Sequence, residues 1–176
     1  MARRPRKLTA RVTHLEMLVP PPYRVQMPLG HRLALMAARQ MPPHFYRYLY
    51  EQVGKPHHWL LRRRLDDAAL AAEIHSAQVE IQVLYCDGSP AGFFELDLSR
   101  LPGDVAIRYL GLVPDFQGRG LSKFFLSEAI LAAWAHEPES VTIQTNTLDS
   151  PRALQLYQRA GFQPVAWSEE QVEPWL

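Results

Sequence analysis

The chain has 176 residues and a mass of 20.2 kDa, which fits one ordinary domain with a packed core. Apolar residues make up 47% and charged residues 21%, a composition that excludes a disordered chain. The net charge of +1 predicts no general attraction to nucleic acid or to a membrane surface. The single cysteine, Cys86, excludes an internal disulfide and a multi-cysteine zinc site. We therefore expect one cytoplasmic domain over residues 1–176, with no nucleic-acid partner and no membrane partner.

The first third of the chain is broken into short pieces by proline, of which the sequence has 15. Residues 1–12 carry a basic cluster that we interpret as a flexible tail, because chain termini are seldom held in place. The pattern then predicts a strand over residues 13–19 and a helix over residues 31–40. Apolar residues at helical spacing predict a second helix over residues 45–53. An aspartate followed by alanines predicts a third helix over residues 66–75.

The second part of the chain alternates between strands and helices. Residues 79–85 and 91–98 alternate in polarity around an Asp-Gly turn, which predicts a β-hairpin. The elements after this hairpin predict a mixed α/β sheet with a parallel crossover in its second half. They are a strand at 105–112, a helix from 118 to 133, a strand at 141–145, a helix at 151–159 and a strand at 162–167.

A glycine-rich segment between a strand and a helix holds the clearest functional signal. Residues 117–122 read Gln-Gly-Arg-Gly-Leu-Ser. Because this segment lies at a helix N-terminus, its amides are unpaired donors that favour a phosphate group. The spacing fits neither a Walker loop nor a dinucleotide fingerprint, in which Lys123 would have to be a glycine. The alternative is a turn that only begins a helix.

This segment resembles the Gln/Arg-x-x-Gly-x-Gly/Ala loop of the GNAT acetyltransferases, with Ser122 where glycine or alanine is usual. Residues 153–162, Ala-Leu-Gln-Leu-Tyr-Gln-Arg-Ala-Gly-Phe, are similar to a second signature of that family, A-x-x-x-Y-x-x-x-G-F. The resemblance covers residues 78–167 and implies an acyl-CoA-binding core there, with acceptor-side elements over residues 13–77. The implied fold is the α/β GNAT fold, a mixed, mostly antiparallel sheet with a parted centre, flanked by helices.

The resemblance also implies an activity. The chain would transfer an acetyl group from acetyl-CoA to a primary amine, of a small molecule or a peptide, by direct attack in a ternary complex and without a metal. The loop amides would hold the pyrophosphate of the coenzyme, and the strand before the loop would offer backbone groups to its pantetheine arm. For Asn146 a turn-forming role is the alternative. The implied cofactor-binding residues are Leu112, Val113, Gln117, Gly118, Arg119, Gly120, Leu121, Ser122 and Asn146.

Acyl transfer to an amine needs a proton donor for the leaving thiolate and, for an amine with a pKa of about 10.4, a base. Tyr157 matches the family tyrosine near the cofactor sulfur and is the expected acid, with a core aromatic as the alternative. The usual glutamate base is absent, because Ala106 stands at its position. Glu95 on the neighbouring strand is the expected replacement, and a solvated strand face is the alternative.

The proline-rich first third is expected to cover the acceptor site and to determine which amine enters. It holds a cluster of aromatic residues, of which we expect Tyr46 to line the acceptor pocket. Glu51 would meet a cationic amine, unless it belongs to the solvated face of its helix. Asp97 shares a strand face with Glu95 and is the third expected substrate residue.

A catalytically weak acyl-CoA-binding module of the same fold is the alternative function. Ala106 favours it and Tyr157 opposes it. The oligomeric state is left open, with a homodimer as one alternative. We expect no metal site, because His44, His57 and His58 lack a metal-ligand spacing with acidic partners and belong in exposed loops.

Overall fold

Seven strands form one mixed sheet in the computed structural model, which describes residues 6–176. The strand order is β2-β3-β4-β5-β6-β1-β7, and every neighbouring pair is antiparallel except β5 and β6. The helices are α1 (Pro43–Gly54), α2 (Asp67–Ile74), α3 (Ser122–Trp134) and α4 (Ala153–Ala160). The strands are β1 (Leu8–Met17), β2 (Leu33–Ala37), β3 (Val79–Cys86), β4 (Ser89–Asp97), β5 (Asp104–Leu112), β6 (Ser140–Asn146) and β7 (Gln163–Val172).

The parallel pair at the centre is where the sheet opens. β5 pairs with β6 only from Asp104 to Ile107, and beyond that point the two strands continue to Leu112 and Asn146 without pairing with each other. The register of β5 against β4 shifts at the same point, which leaves Arg108 as an extra residue. A bulge of this kind bends a strand and increases its twist. The expected parted centre is therefore confirmed.

Apolar side chains cover both faces of the sheet. Successive residues of a strand point to opposite faces, and Phe93 and Phe94 of β4 accordingly belong to two separate clusters. Phe93 packs with Tyr46 and Leu49 of α1. Phe94 packs with the side chains of α3, such as Phe125. A side chain on either face of β4 is therefore covered by helices.

The predicted helix over residues 31–40 is wrong. Its central part is the strand β2, in which Leu33 lies opposite Cys86 and Ala37 lies opposite Gln82 of β3. Pairing along the edge of the sheet outweighs the weak helical preference of this short segment.

The predicted tail of residues 1–12 and the predicted strand at 13–19 are also wrong in their bounds. β1 begins at Leu8 and ends at Met17, and its first residues pair with β7. Residues 1–5 of the predicted tail lie outside the described residues. The other predicted elements are confirmed at their places, and the last strand extends to Val172. None of the helices within residues 6–176 is long and apolar enough to cross a membrane.

Candidate active site

A cavity of ≈ 920 Å³ opens where β5 and β6 part. Its walls come from the ends of β5 and β6 that do not pair with each other, the start of α3, one side of α4 and the turn after α1. Representative wall residues, one from each of these elements, are Leu112, Asn146, Ser122, Tyr157 and His57. Cavities of about 300–1,000 Å³ are typical of sites for small molecules and cofactors.

The loop between β5 and α3 presents backbone donors to solvent and to this cavity. Leu121 is the N-cap of α3, and no side chain caps that end of the helix. The first backbone hydrogen bond of the helix is donated by Phe125 to the Leu121 carbonyl, and within residues 6–176 the amides of 118–121 have no backbone acceptor. An uncapped N-terminus with free amides favours an anion, because the helix dipole and the N–H groups point at the same place.

Two glycines set the shape of this loop. Gly118 has a φ of 72° and Gly120 a φ of 76°, in the left-handed region that favours glycine. A Cβ added to either residue would meet no atom within 4 Å. Glycine is thus required by the backbone conformation and not by crowding, and the space beside the loop is open to a ligand. This donor set fits the pyrophosphate of a coenzyme.

The predicted cofactor-binding residues separate into three groups. The side chains of Val113 and Leu121 are buried in the core. Arg119 is exposed, with its guanidinium over the ring of Phe116 at 4.8 Å, and Gly120 is exposed beside it. The other predicted residues line the cavity: Leu112, Gln117, Gly118, Ser122 and Asn146.

Tyr157 lines the same cavity from α4. Its ring packs at an angle against Phe162, with centroids 6.3 Å apart. Burial and the negative charge of Asp149 raise the pKa of Tyr157, so the phenol remains protonated at neutral pH. A neutral phenol in the cavity is able to donate a proton, as the predicted acid role requires.

Glu95 lies outside this cavity, and its expected alternative, a solvated strand face, is wrong. Its side chain is 0% exposed. The Tyr46 hydroxyl donates to Oε1 at 2.7 Å, and the Arg62 guanidinium donates to Oε2 at 2.7 Å. Both oxygens are occupied, so the geometry does not support Glu95 as the base.

Arg62 holds this buried network together. It is 3% exposed and also donates to Oε2 of Glu73 at 2.6 Å. Burial lowers the pKa of Arg62, but the charge of Glu95 and the hydrogen bonds to both carboxylates outweigh burial and raise it. Burial and the charge of Glu95 raise the pKa of Tyr46, which therefore stays a neutral donor. Because Arg62 stands in a run of three arginines, nothing in the sequence distinguishes it from a solvated residue.

The three residues predicted to bind the acceptor do not line the large cavity. Tyr46 is buried, with its hydroxyl hydrogen-bonded to Glu95, and Glu51 is exposed on α1. Both residues border a second cavity of ≈ 70 Å³. Asp97, at the end of β4, accepts a hydrogen bond from the amide of Ser99 at 2.9 Å. The large cavity is bounded by other aromatic residues.

Trp59 and Tyr109 form this aromatic wall, with ring centroids 4.9 Å apart. His57 lies next to them in the wall, half-buried, so its predicted place in an exposed loop is wrong. The reason is a hydrogen bond between the His57 ring and the carbonyl of Leu148. Leu148 lies 91 residues further along the chain, so no local pattern in the sequence indicates this contact. His44 is exposed as predicted, but it lies on the first turn of α1 and not in a loop.

Residues 48–176 match the family model of the acetyltransferase (GNAT) domain. The chain belongs to the GNAT acetyltransferases. The match includes the loop at 117–122, α4 and the aromatic wall, so the family assignment rests on the part of the chain that supplies the cavity lining apart from Val12 of β1.

Solved structures share the fold of this GNAT protein. A GNAT-family protein from Novosphingobium aromaticivorans has a TM-score of 0.65 at 16% identity, covering 96% of this chain and 66% of that one. A GCN5-related N-acetyltransferase from Sphaerobacter thermophilus has a TM-score of 0.65 at 17% identity, with coverages of 98% and 54%. The aminoglycoside N-acetyltransferase AAC(6')-Iy in complex with CoA has a TM-score of 0.57 at 19% identity, with coverages of 80% and 94%.

These likenesses show the fold alone, because the identities are low. The chain spans 66% of the Novosphingobium protein and 54% of the Sphaerobacter protein. No protein of curated function matches the sequence.

Proposed function

We propose that this GNAT protein transfers an acetyl group from acetyl-CoA to a primary amine by direct attack in a ternary complex. The observation that carries the proposal is one cavity that joins the uncapped N-terminus of α3 to the neutral phenol of Tyr157. An acyl-CoA has an anionic pyrophosphate and a thioester whose sulfur must be protonated on departure, and these two features of the cavity match those two needs. The CoA complex of AAC(6')-Iy, which shares the fold, supports this choice of donor.

The ends of β5 and β6 that do not pair with each other form the middle of the proposed cofactor site. Beyond Ile107 the backbone of β5 has no partner on β6, and peptide groups next to a buried cavity need a hydrogen-bond partner. An extended pantetheine arm with its amides can pair with such an edge as an added strand does. Asn146 forms the turn after β6, because its Oδ1 accepts from the amide of Leu148 at 2.8 Å. Its Nδ2 is then the atom that we propose contacts the arm.

The proposed reaction has two proton transfers besides the acyl transfer. Acetyl-CoA supplies the activated acetyl group. The amine nitrogen bonds to the carbonyl carbon, the carbon–sulfur bond breaks, the amine loses a proton and the thiolate gains one. Tyr157 gives its phenolic proton to the sulfur, and this phenol is protonated at neutral pH.

Direct attack is preferred to an acyl-cysteine intermediate. Cys86 is 1% exposed, and burial together with the charge of Asp87 raises its pKa, which keeps the thiol in its unreactive form. It lies at the end of β3, away from the residues that line the cavity.

The second candidate is a catalytically weak acyl-CoA-binding module of the same fold. Ala106 has no titratable group, and the occupied carboxylate of Glu95 removes its expected replacement. Both observations favour a domain that binds an acyl-CoA without turnover. The neutral phenol of Tyr157 in the cavity opposes that reading.

Two measurements decide between these functions. Isothermal titration calorimetry with acetyl-CoA tests binding, and thiol release across a panel of small-molecule and peptide amines tests turnover. We expect binding and thiol release with at least one primary amine. Binding without thiol release would favour the binding module, and no binding would refute both. A homodimer and a cytoplasmic location stay predictions.

A further inference from the structure

His57 is a histidine in the wall of the large cavity. We propose that Nε2 of His57 accepts the proton of the attacking amine, and that Asp149 and the Leu148 carbonyl position its ring. This inference rests on the proposed function and deepens it. His57 takes the role of base in place of Ala106, which has no titratable group. It also replaces Glu95, whose two oxygens both accept hydrogen bonds.

The surroundings of His57 select one tautomer of its ring. The residue ends a 3-10 turn, Lys55–His57, that follows α1. Its Nδ1 lies 3.2 Å from the carbonyl oxygen of Leu148 and 3.9 Å from Oδ1 of Asp149. Since a carbonyl oxygen only accepts, Nδ1 carries the proton in the neutral ring. Nε2 is then the unprotonated nitrogen, which is the form that a general base requires.

Asp149 is held in place independently of His57. Its Oδ2 accepts from the Thr145 hydroxyl at 3.0 Å and from the Asn146 amide at 2.8 Å. The other oxygen, Oδ1, is the one near His57. In the proposal this carboxylate, 3.9 Å from Nδ1 and not hydrogen-bonded to it, stabilises by its charge the imidazolium that forms when Nε2 takes a proton. Asp149 is thus a positioning residue.

The same carboxylate connects the proposed base to the proposed acid. His57, Asp149 and Tyr157 all line the large cavity, and the charge of Asp149 contributes to the raised pKa of Tyr157. One carboxylate therefore lies near both the proposed base and the proposed acid. In the reaction the amine proton passes to Nε2 of His57 and the phenolic proton passes to the sulfur. Exchange with water restores both groups, so the net proton count is unchanged.

Within residues 6–176 the His57 ring makes one hydrogen bond, to the carbonyl of Leu148. No titratable side chain in this range is therefore hydrogen-bonded to this ring. On its own segment, Nδ1 of His58 accepts from the amide of Trp175 at 2.9 Å, and Lys55 is exposed. The remaining charged or titratable groups of the cavity are Arg108, Tyr109, Arg152, Arg159 and Glu170. Because Glu170 also lines the cavity, an acid limb of the pH–rate profile is assigned to His57 only if it disappears in His57→Gln.

The test is His57→Gln, assayed with the amine that the thiol-release panel identifies. We expect kcat to fall by about 10²–10⁴-fold, the typical contribution of general base catalysis, and the acid limb of the pH–rate profile to disappear. Acetyl-CoA affinity stays that of the wild type. The matched control is His44→Gln, an exposed histidine at the start of α1, which keeps the wild-type rate and profile. In Asp149→Asn the acid limb moves to lower pH, because the histidinium loses a stabilising charge.

The outcomes separate the two proposals. If the wild type transfers acetyl groups and His57→Gln has an unchanged kcat and acid limb, the base role is overturned and the proposed function stands. If the wild type transfers to no amine, both are overturned. Where His57→Gln fails to fold, as judged by circular dichroism, the Asp149→Asn profile decides, and an unshifted acid limb overturns the role of His57.

Discussion

The buried pair of Glu95 and Arg62 is expected to stabilise the fold, and Glu95→Gln separates this role from a catalytic one. The substitution leaves Arg62 charged and 3% exposed, with only the half-exposed Glu73 as a partner. Breaking a buried ion pair by removing one charge costs about 3–5 kcal/mol. The hydrogen bond from Tyr46 survives, because the amide oxygen of glutamine also accepts. A typical domain has a free energy of unfolding of roughly 5–15 kcal/mol, so the variant folds with a reduced margin.

The assay is equilibrium unfolding in urea, followed by the fluorescence of the four tryptophans. With an m-value of about 2–3 kcal/mol/M, the midpoint of Glu95→Gln falls by about 1–2.5 M. The matched control is Glu73→Gln, which removes the exposed partner of the same arginine and costs about 1 kcal/mol or less. The pH–rate profile of folded Glu95→Gln is expected to keep the acid limb of the wild type.

Two results would refute this reasoning. If Glu95→Gln unfolds at the wild-type urea concentration, then the pair contributes nothing and the burial argument fails. If the variant is stable but loses the acid limb of its pH–rate profile, then Glu95 is the base after all, in spite of its two hydrogen bonds.

Three further substitutions test the site itself. Gly120→Glu is expected to abolish acetyl-CoA binding in calorimetry. The control Gly88→Glu, at a glycine of similarly positive φ in the hairpin turn, is expected to bind like the wild type. Equal binding by both variants would exclude the loop from the cofactor site. Tyr157→Phe is expected to lower kcat by about 10²–10⁴-fold at an unchanged acetyl-CoA affinity, and an unchanged kcat would contradict the acid role. Gly54→Ala places a Cβ 2.5 Å from Cε3 of Trp59. Such overpacking costs about 1–3 kcal/mol and should raise the KM for the amine, while an unchanged KM would show that Trp59 does not contact the acceptor.

The sequence predicts the conformation of the glycine-rich loop at 117–122 and the position of α4 well, because each is encoded by neighbouring residues. Gly118 and Gly120 occupy left-handed positions whose requirement is local, and the α3 N-terminus follows directly. The same holds for Asp66, which caps α2 by accepting from the amide of Ala69 at 2.8 Å. These features need no knowledge of the tertiary structure.

The roles of Glu95 and His57 depend on contacts that are distant in sequence. Glu95 stands at a polar position of an alternating strand, a pattern that usually means a solvated face. Here α1 covers that face, and the partners of Glu95 lie 33 and 49 residues earlier in the chain. The strand β2 was missed for a related reason, because its identity depends on pairing with β3 and not on its own residues.

The position of the buried pair shows how a residue outside the cavity can still determine its shape. The register of β4 against β5 shifts directly after Glu95, which lies opposite Tyr109, and the extra residue of β5 at this shift is Arg108. This bulge begins where β5 leaves β6, so it contributes to opening the sheet. Through its hydrogen bonds to Tyr46 of α1 and to Arg62, Glu95 ties the covering helix and the following turn to the strand at that point. Because Tyr109 is part of the aromatic wall, a change in this ion pair would alter the wall through the scaffold, without either charged group touching the substrate.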